Sequence, residues 1–142
     1  MKISTRFLVC ALTIVMAAGC GFTNDRNEAA QIAAAFYESV KADDINGIIV
    51  HISPEFFKET SESKVRLIFP AIKDTLGTLE SYELSGWHVN KQLGNNPLSG
   101  IFVTLQYKVL YSDTLSYETL IMYRANSEDH FKIISYNFSS EN

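Results

Sequence analysis

A chain of 142 residues with 46% hydrophobic and 20% charged side chains fits one compact domain with a filled core, which excludes disordered, collagen-like and coiled-coil architectures. Lys and Arg number 12 against 16 Asp and Glu, for a formal net charge of -4. No basic face stands out in that acidic balance, so nucleic acid is excluded as a partner.

The first twenty residues are the most informative. Lys2 and Arg6 form a short positive region, and residues 7–18 make a nearly unbroken apolar run. At about 12 residues the run is too short to span a bilayer, which takes roughly 20, and it has the length of a signal-peptide h-region. Ala17, Ala18 and Gly19 then lead into Cys20. This A-A-G-C sequence resembles the lipobox of bacterial lipoproteins, with Ala17 where the family more often has Leu. The resemblance implies that residues 1–19 are removed as a signal peptide and that Cys20 becomes the lipidated first residue. It also implies a membrane-anchored protein of the bacterial cell envelope. Gly21 rather than Asp after the cysteine favours the periplasmic face of the outer membrane in a Gram-negative cell. The alternative is an ordinary secretory signal cut after Ala18 or Gly19, or an uncleaved anchor.

Removal of residues 1–19 takes Cys10 with it, so no disulfide can form inside the domain. It leaves 10 basic against 16 acidic side chains, a net charge of -6 that discourages contact with anionic headgroups. Residues 20–26 are expected to be a lipidated tether, short enough to hold a domain of residues 27–142 close to the membrane.

Along that domain the period predicts helices first. Asp25 and Glu28 have capping-box spacing, and Ala29, Ala33, Phe36, Tyr37 and Val40 fall on one helical stripe. A short apolar segment, 45–52, ends at Ser53-Pro54, a helix start signal for residues 54–58 with Phe56 and Phe57. Thr60 or Ser61 caps a third helix with Val65, Ile68, Phe69, Ile72 and Leu76 on one face, a kink at Pro70 and Gly77 past its end.

After Gly77 the period becomes 2. Tyr82 and Leu84 are followed one residue out of phase by Trp87 and Val89, which reads as a β-bulge at Gly86. Asn95-Asn96-Pro97 turns the chain. Ile101, Val103, Leu105, Tyr107, Val109 and Tyr111 then line one face of a strand, with Phe102 and Leu110 opposite. Leu115, Tyr117, Thr119, Ile121 and Tyr123 are expected to face the core in the third strand, which puts Glu118 outside. A fourth strand over 130–139 changes phase near Ile134, a second bulge.

The fold class is therefore α+β, N-terminal helices packed on a curved four-stranded antiparallel sheet. The order of elements resembles the NTF2-like superfamily of cystatin-like cones, and within it small bacterial lipoprotein and periplasmic members of unknown function. The segments that carry the resemblance are AFYESVK at 35–41, SPEFFK at 53–58, Leu76-Gly77, YEL at 82–84 and FKIISY at 131–136. The resemblance covers residues 28–138 and implies a fold rather than a function.

No catalytic residue emerges. Enzymes of this superfamily place a base and an oxyanion donor on inward strand positions, and the inward stripe here is apolar or Tyr. His51, His88 and His130 are 37 and 42 residues apart without a carboxylate at ligand spacing, so neither a metal nor another cofactor is expected. What remains is a set of aromatics that would converge on a small pocket: Tyr37, Phe56, Phe57, Phe69, Trp87, Tyr107 and Tyr117. Three roles follow: a non-catalytic module that binds an envelope protein or forms a homodimer through the outer sheet face, a binder of a small apolar ligand, and an unusual enzyme. Replacing Cys20 by Ser is expected to abolish metabolic acyl labelling and release the protein from the membrane fraction. Labelling that persists in that variant would exclude Cys20 as the lipidated residue.

Overall fold

The computed structural model describes residues 20–94, 98–126 and 130–141. Residues 1–19, expected above to be a signal peptide, and Asn95-Asn96-Pro97, expected to be a turn, lie outside the described residues. Four helices precede four strands: α1 Cys20–Lys41, α2 Ile45–Ile49, α3 Phe56–Glu59, α4 Glu62–Leu76, then β1 Leu79–Gln92, β2 Gly100–Tyr111, β3 Leu115–Ala125 and β4 Lys132–Ser140. The strands form one open antiparallel sheet in the order β1-β2-β3-β4. One sheet face packs on the helices, and the class is α+β.

The helical stripe of α1 is buried as its period requires, with Ala29, Ala33, Phe36 and Tyr37 all in the core. Helix α1 begins earlier than the capping-box spacing suggested: residues 20–26, expected to be a tether, form its first turns. Asp25 and Glu28 cap nothing. They lie three residues apart on one helix face and together hold the Arg124 guanidinium, at 2.6 Å and 2.5 Å. A charge-assisted pair with two acceptors outweighs a cap worth about 1 kcal/mol.

Helix α2 is capped by Asp44, which accepts from the Gly47 N–H at 2.9 Å. Helix α3 starts two residues later than expected, because the Ser53 hydroxyl closes a local turn by accepting from the Glu55 N–H at 3.1 Å. Ser61 caps α4, and Val65, Phe69, Ile72 and Leu76 are buried along it, with Pro70 inside the helix. Gly77 ends α4 at φ 88°, a left-handed conformation, and a side chain there would also strike Ser112 Oγ.

Both expected bulges are present. The β1–β2 register skips Ser85 between Leu84 and Gly86, and the β3–β4 register skips Ile134 between Ile133 and Ser135. Gly86 lies against Gln106, whose Oε1 occupies the space a Cβ would need.

One face assignment is corrected. In β3 the core-facing residues are Ser116, Glu118, Leu120 and Met122, so Tyr117, Thr119 and Ile121 point outward. Register explains it. Tyr107 of the apolar β2 stripe pairs with Glu118 and Leu105 pairs with Leu120, which places those residues on one face.

Phe36 packs edge-on against Tyr37 at 5.2 Å and Phe69 at 5.6 Å, and tilted against Tyr136 at 5.9 Å. It joins α1, α4 and the sheet. Phe36→Ala is therefore expected to cost about 3 to 5 kcal/mol of unfolding free energy. An unchanged denaturation midpoint would contradict that packing.

Candidate functional site

Two neighbouring features share one tyrosine. The first is a buried carboxyl. Glu118 is 1% exposed and sits on the inner face of β3. Tyr37 of α1 donates its hydroxyl to Glu118 Oε2 at 3.0 Å, and Tyr111 at the end of β2 donates to Oε1 at 2.9 Å. The Tyr136 hydroxyl on β4 bonds to the same group, while the neighbouring Ser116 hydroxyl on β3 donates to the Ser139 carbonyl at 3.4 Å.

A carboxylate has about four acceptor sites, and here three tyrosine hydroxyls meet them. Burial pushes the Glu118 carboxyl above its ordinary range, and the hydrogen bonds it accepts offset this only in part. Burial, then the adjacent carboxyl, drives the Tyr37 and Tyr111 hydroxyls far above their usual value, so they stay protonated as donors. Burial also pushes Tyr107 up to about 12. Tyr37 stacks on Tyr82 at 4.8 Å and meets Tyr107 edge-on at 5.0 Å, which fixes the aim of its hydroxyl.

The second feature is a cavity of about 320 Å³ where the end of α1, α2, α4 and the start of β1 meet. Val40, Ile45, Ile48, Phe69, Ile72 and Leu79 supply its apolar walls, and Lys41, Asp43, Lys73 and Asp74 also line it. Lys73 pairs with Asp43, and Lys41 donates to the Glu80 carbonyl at 3.2 Å. Tyr111 lines the cavity and also bonds Glu118, so the cavity wall and the buried carboxyl are one hydrogen bond apart.

The seven aromatics expected to converge do not share one pocket. Phe69 lines the cavity; Tyr37 and Tyr107 are buried beside Glu118. Phe56 and Phe57 are half-buried and pack edge-on against each other at 6.2 Å. Tyr117 is exposed on the outer face and donates to Glu141 at 2.9 Å. Trp87 is 47% exposed, with the Arg26 guanidinium 5.3 Å from its ring. Sequence reasoning missed Glu118, Tyr111 and Tyr136. For Glu118 the signal was the even-numbered phase of β3, in which Leu120 and Met122 are as apolar as their odd-numbered neighbours.

Among the described residues no group of His, Cys, Asp and Glu is placed to hold a metal ion. Burial lowers the His51 pKa, and His88 is exposed on β1. His130 is exposed, 3.8 Å from Glu28. Among the described residues no helix is long and apolar enough to cross a membrane.

The raised carboxyl makes stability depend on pH with a known sign. The folded state holds the Glu118 proton more tightly than the unfolded chain, so its contribution is full below the ordinary carboxyl pKa. It is lost as pH rises through the folded value. The melting temperature of the protein minus that of Glu118→Gln is expected to be highest near pH 4 and to fall toward pH 8. A difference that grows with pH would contradict this assignment.

Compared with known proteins, the chain matches no family model, no curated protein and no solved structure.

Proposed function

We propose that this chain is a lipid-anchored protein of the bacterial envelope whose domain holds a small, mainly apolar ligand without transforming it. The observation that carries the ligand is the cavity between α1, α2, α4 and β1. At about 320 Å³ it falls at the lower end of small-molecule sites, apolar-walled with a few polar groups at hand. The A-A-G-C sequence ending at Cys20 supports the anchor. An NTF2-like cone is proposed for the fold, supported by helices preceding four sequential strands and by the bulges at Ser85 and Ile134.

Binding rather than catalysis is favoured by the state of Glu118. A general base needs a free lone pair within reach of a substrate proton. Glu118 lies behind Tyr111, outside the cavity lining, with hydroxyls on both oxygens.

A second reading is a module that docks an envelope protein or itself through the outer sheet face. Leu110 and Tyr117 are exposed there, and Phe102 packs against Tyr123 at 4.9 Å. The exposed Gln106 and Lys108 of β2 stand in that same row between Phe102 and Leu110 and break its apolar continuity. The cavity is the better-formed feature.

Titration with the fluorophore 1-anilinonaphthalene-8-sulfonate tests the ligand reading. Saturable binding is expected, and Ile45→Phe, which places a larger side chain at the half-buried cavity wall, should weaken it at least about tenfold. Binding indifferent to Ile45→Phe, with the variant still folded, would place the fluorophore elsewhere and contradict the reading.

A further inference from the structure

The end of the domain that carries Cys20 is itself built to touch a membrane. Helix α1 runs antiparallel to β1. Its last residue, Lys41, reaches the Glu80 carbonyl, Tyr37 stacks on Tyr82, and Arg26 lies over Trp87. Asp25 and Glu28 hold Arg124, whose sheet row runs through Ile101 to Lys91. The first turns of α1 therefore lie level with the far ends of β1 and β3. Leu93 directly follows the end of β1 there, and Phe22 lies one turn before Arg26 on α1.

At that end the apolar pattern outruns the core. Phe22 continues the buried stripe of Ala29, Ala33 and Phe36 by two more turns, yet it is 47% exposed. Trp87 is on the inward phase of β1, paired with buried Leu105, and is also 47% exposed. Leu93 is 77% exposed and Leu98 is 37% exposed, on the two sides of the β1–β2 connection. Four large exposed apolar side chains thus lie toward one end of the domain, the end at which α1 begins.

We infer that Phe22, Trp87, Leu93 and Leu98 form a docking edge that inserts into the interfacial layer of a zwitterionic bilayer, holding the domain against the membrane. The inference rests on the reading of Cys20 as the anchor point. Arg26 stands six residues after Cys20, so Trp87 lies about 9 Å along the α1 axis from the acylated residue. That distance is within the roughly 5 to 10 Å over which interfacial elements bury their apolar face. Trp and Leu suit this layer. The net charge of -6 left after residue 19 favours a neutral surface, so insertion is by apolar contact and not by charge. The cavity lies at the other end of α1, about 30 Å from Cys20, and stays open to the aqueous side.

Trp87 is the one tryptophan of the chain and reports on its own depth. The purified full-length product is reconstituted into phosphatidylcholine vesicles with and without brominated acyl chains, and its intact mass shows whether Cys20 is acylated. The expected result is a blue-shifted Trp87 emission that brominated lipid quenches, with both effects lost in Phe22→Ser/Leu93→Ser. An acylated protein whose emission is unshifted and unquenched overturns the docking edge and leaves the anchor standing. Quenching that persists in the double variant also overturns it, since the tether alone would then set the depth. If the mass shows no acylation, vesicle binding with quenched Trp87 supports the edge while ending the anchor reading, and absence of binding ends both.

Discussion

The hydrogen bonds from Tyr37 and Tyr111 to Glu118 tie the rest of the structure together. A carboxyl taken out of water costs several kcal/mol unless its oxygens are matched, and here each oxygen accepts from a tyrosine anchored in a different element. Tyr37 belongs to α1, Tyr111 to β2 and Glu118 to β3, with Tyr136 of β4 completing the ring of donors. The register of three strands and the rotation of α1 are thus held to one geometry. A slip of one residue in β3 would turn Glu118 to solvent and strand buried hydroxyls. Polar specificity at the centre complements the non-directional packing around Phe36.

Helix α1 connects two ends with different chemistry. One end is clamped by Arg124 between Asp25 and Glu28, with the Arg124 guanidinium also over the Phe131 ring at 4.4 Å. The other end forms part of the cavity through Val40 and Lys41. A helix of 22 residues spans the distance between them, so under the proposed anchoring at Cys20 the cavity faces away from the tether. Tyr111 links that cavity to Glu118, which gives ligand occupancy a direct contact with the group that organises the core.

Much of the fold could be read from local pattern. The stripe of α1 and the alternation of β2 each point to one face, and the phase breaks at Gly86 and Ile134 marked the bulges where the register shifts. What could not be read was set by long-range partners. Strand β3 carries apolar residues on both phases, so alternation could not choose its face; its pairing with β2 did. Asp25 and Glu28 had the spacing of a cap, and only the approach of Arg124, about a hundred residues away, shows that they serve an ion pair. The cavity escaped for the same reason. Its walls come from residues scattered over α1, α2, α4, β1 and β2, and of the seven aromatics read as a pocket only Phe69 lines it.

The central claim is that the cavity at the end of α1 is occupied in the envelope. Native mass spectrometry of the full-length product, extracted in mild detergent from its own membranes, tests it directly. The account predicts a reproducible adduct of a few hundred daltons beyond any mass attached at Cys20, reduced in Ile45→Phe. A protein that leaves the membrane with no adduct, or with one that Ile45→Phe does not reduce, would contradict it.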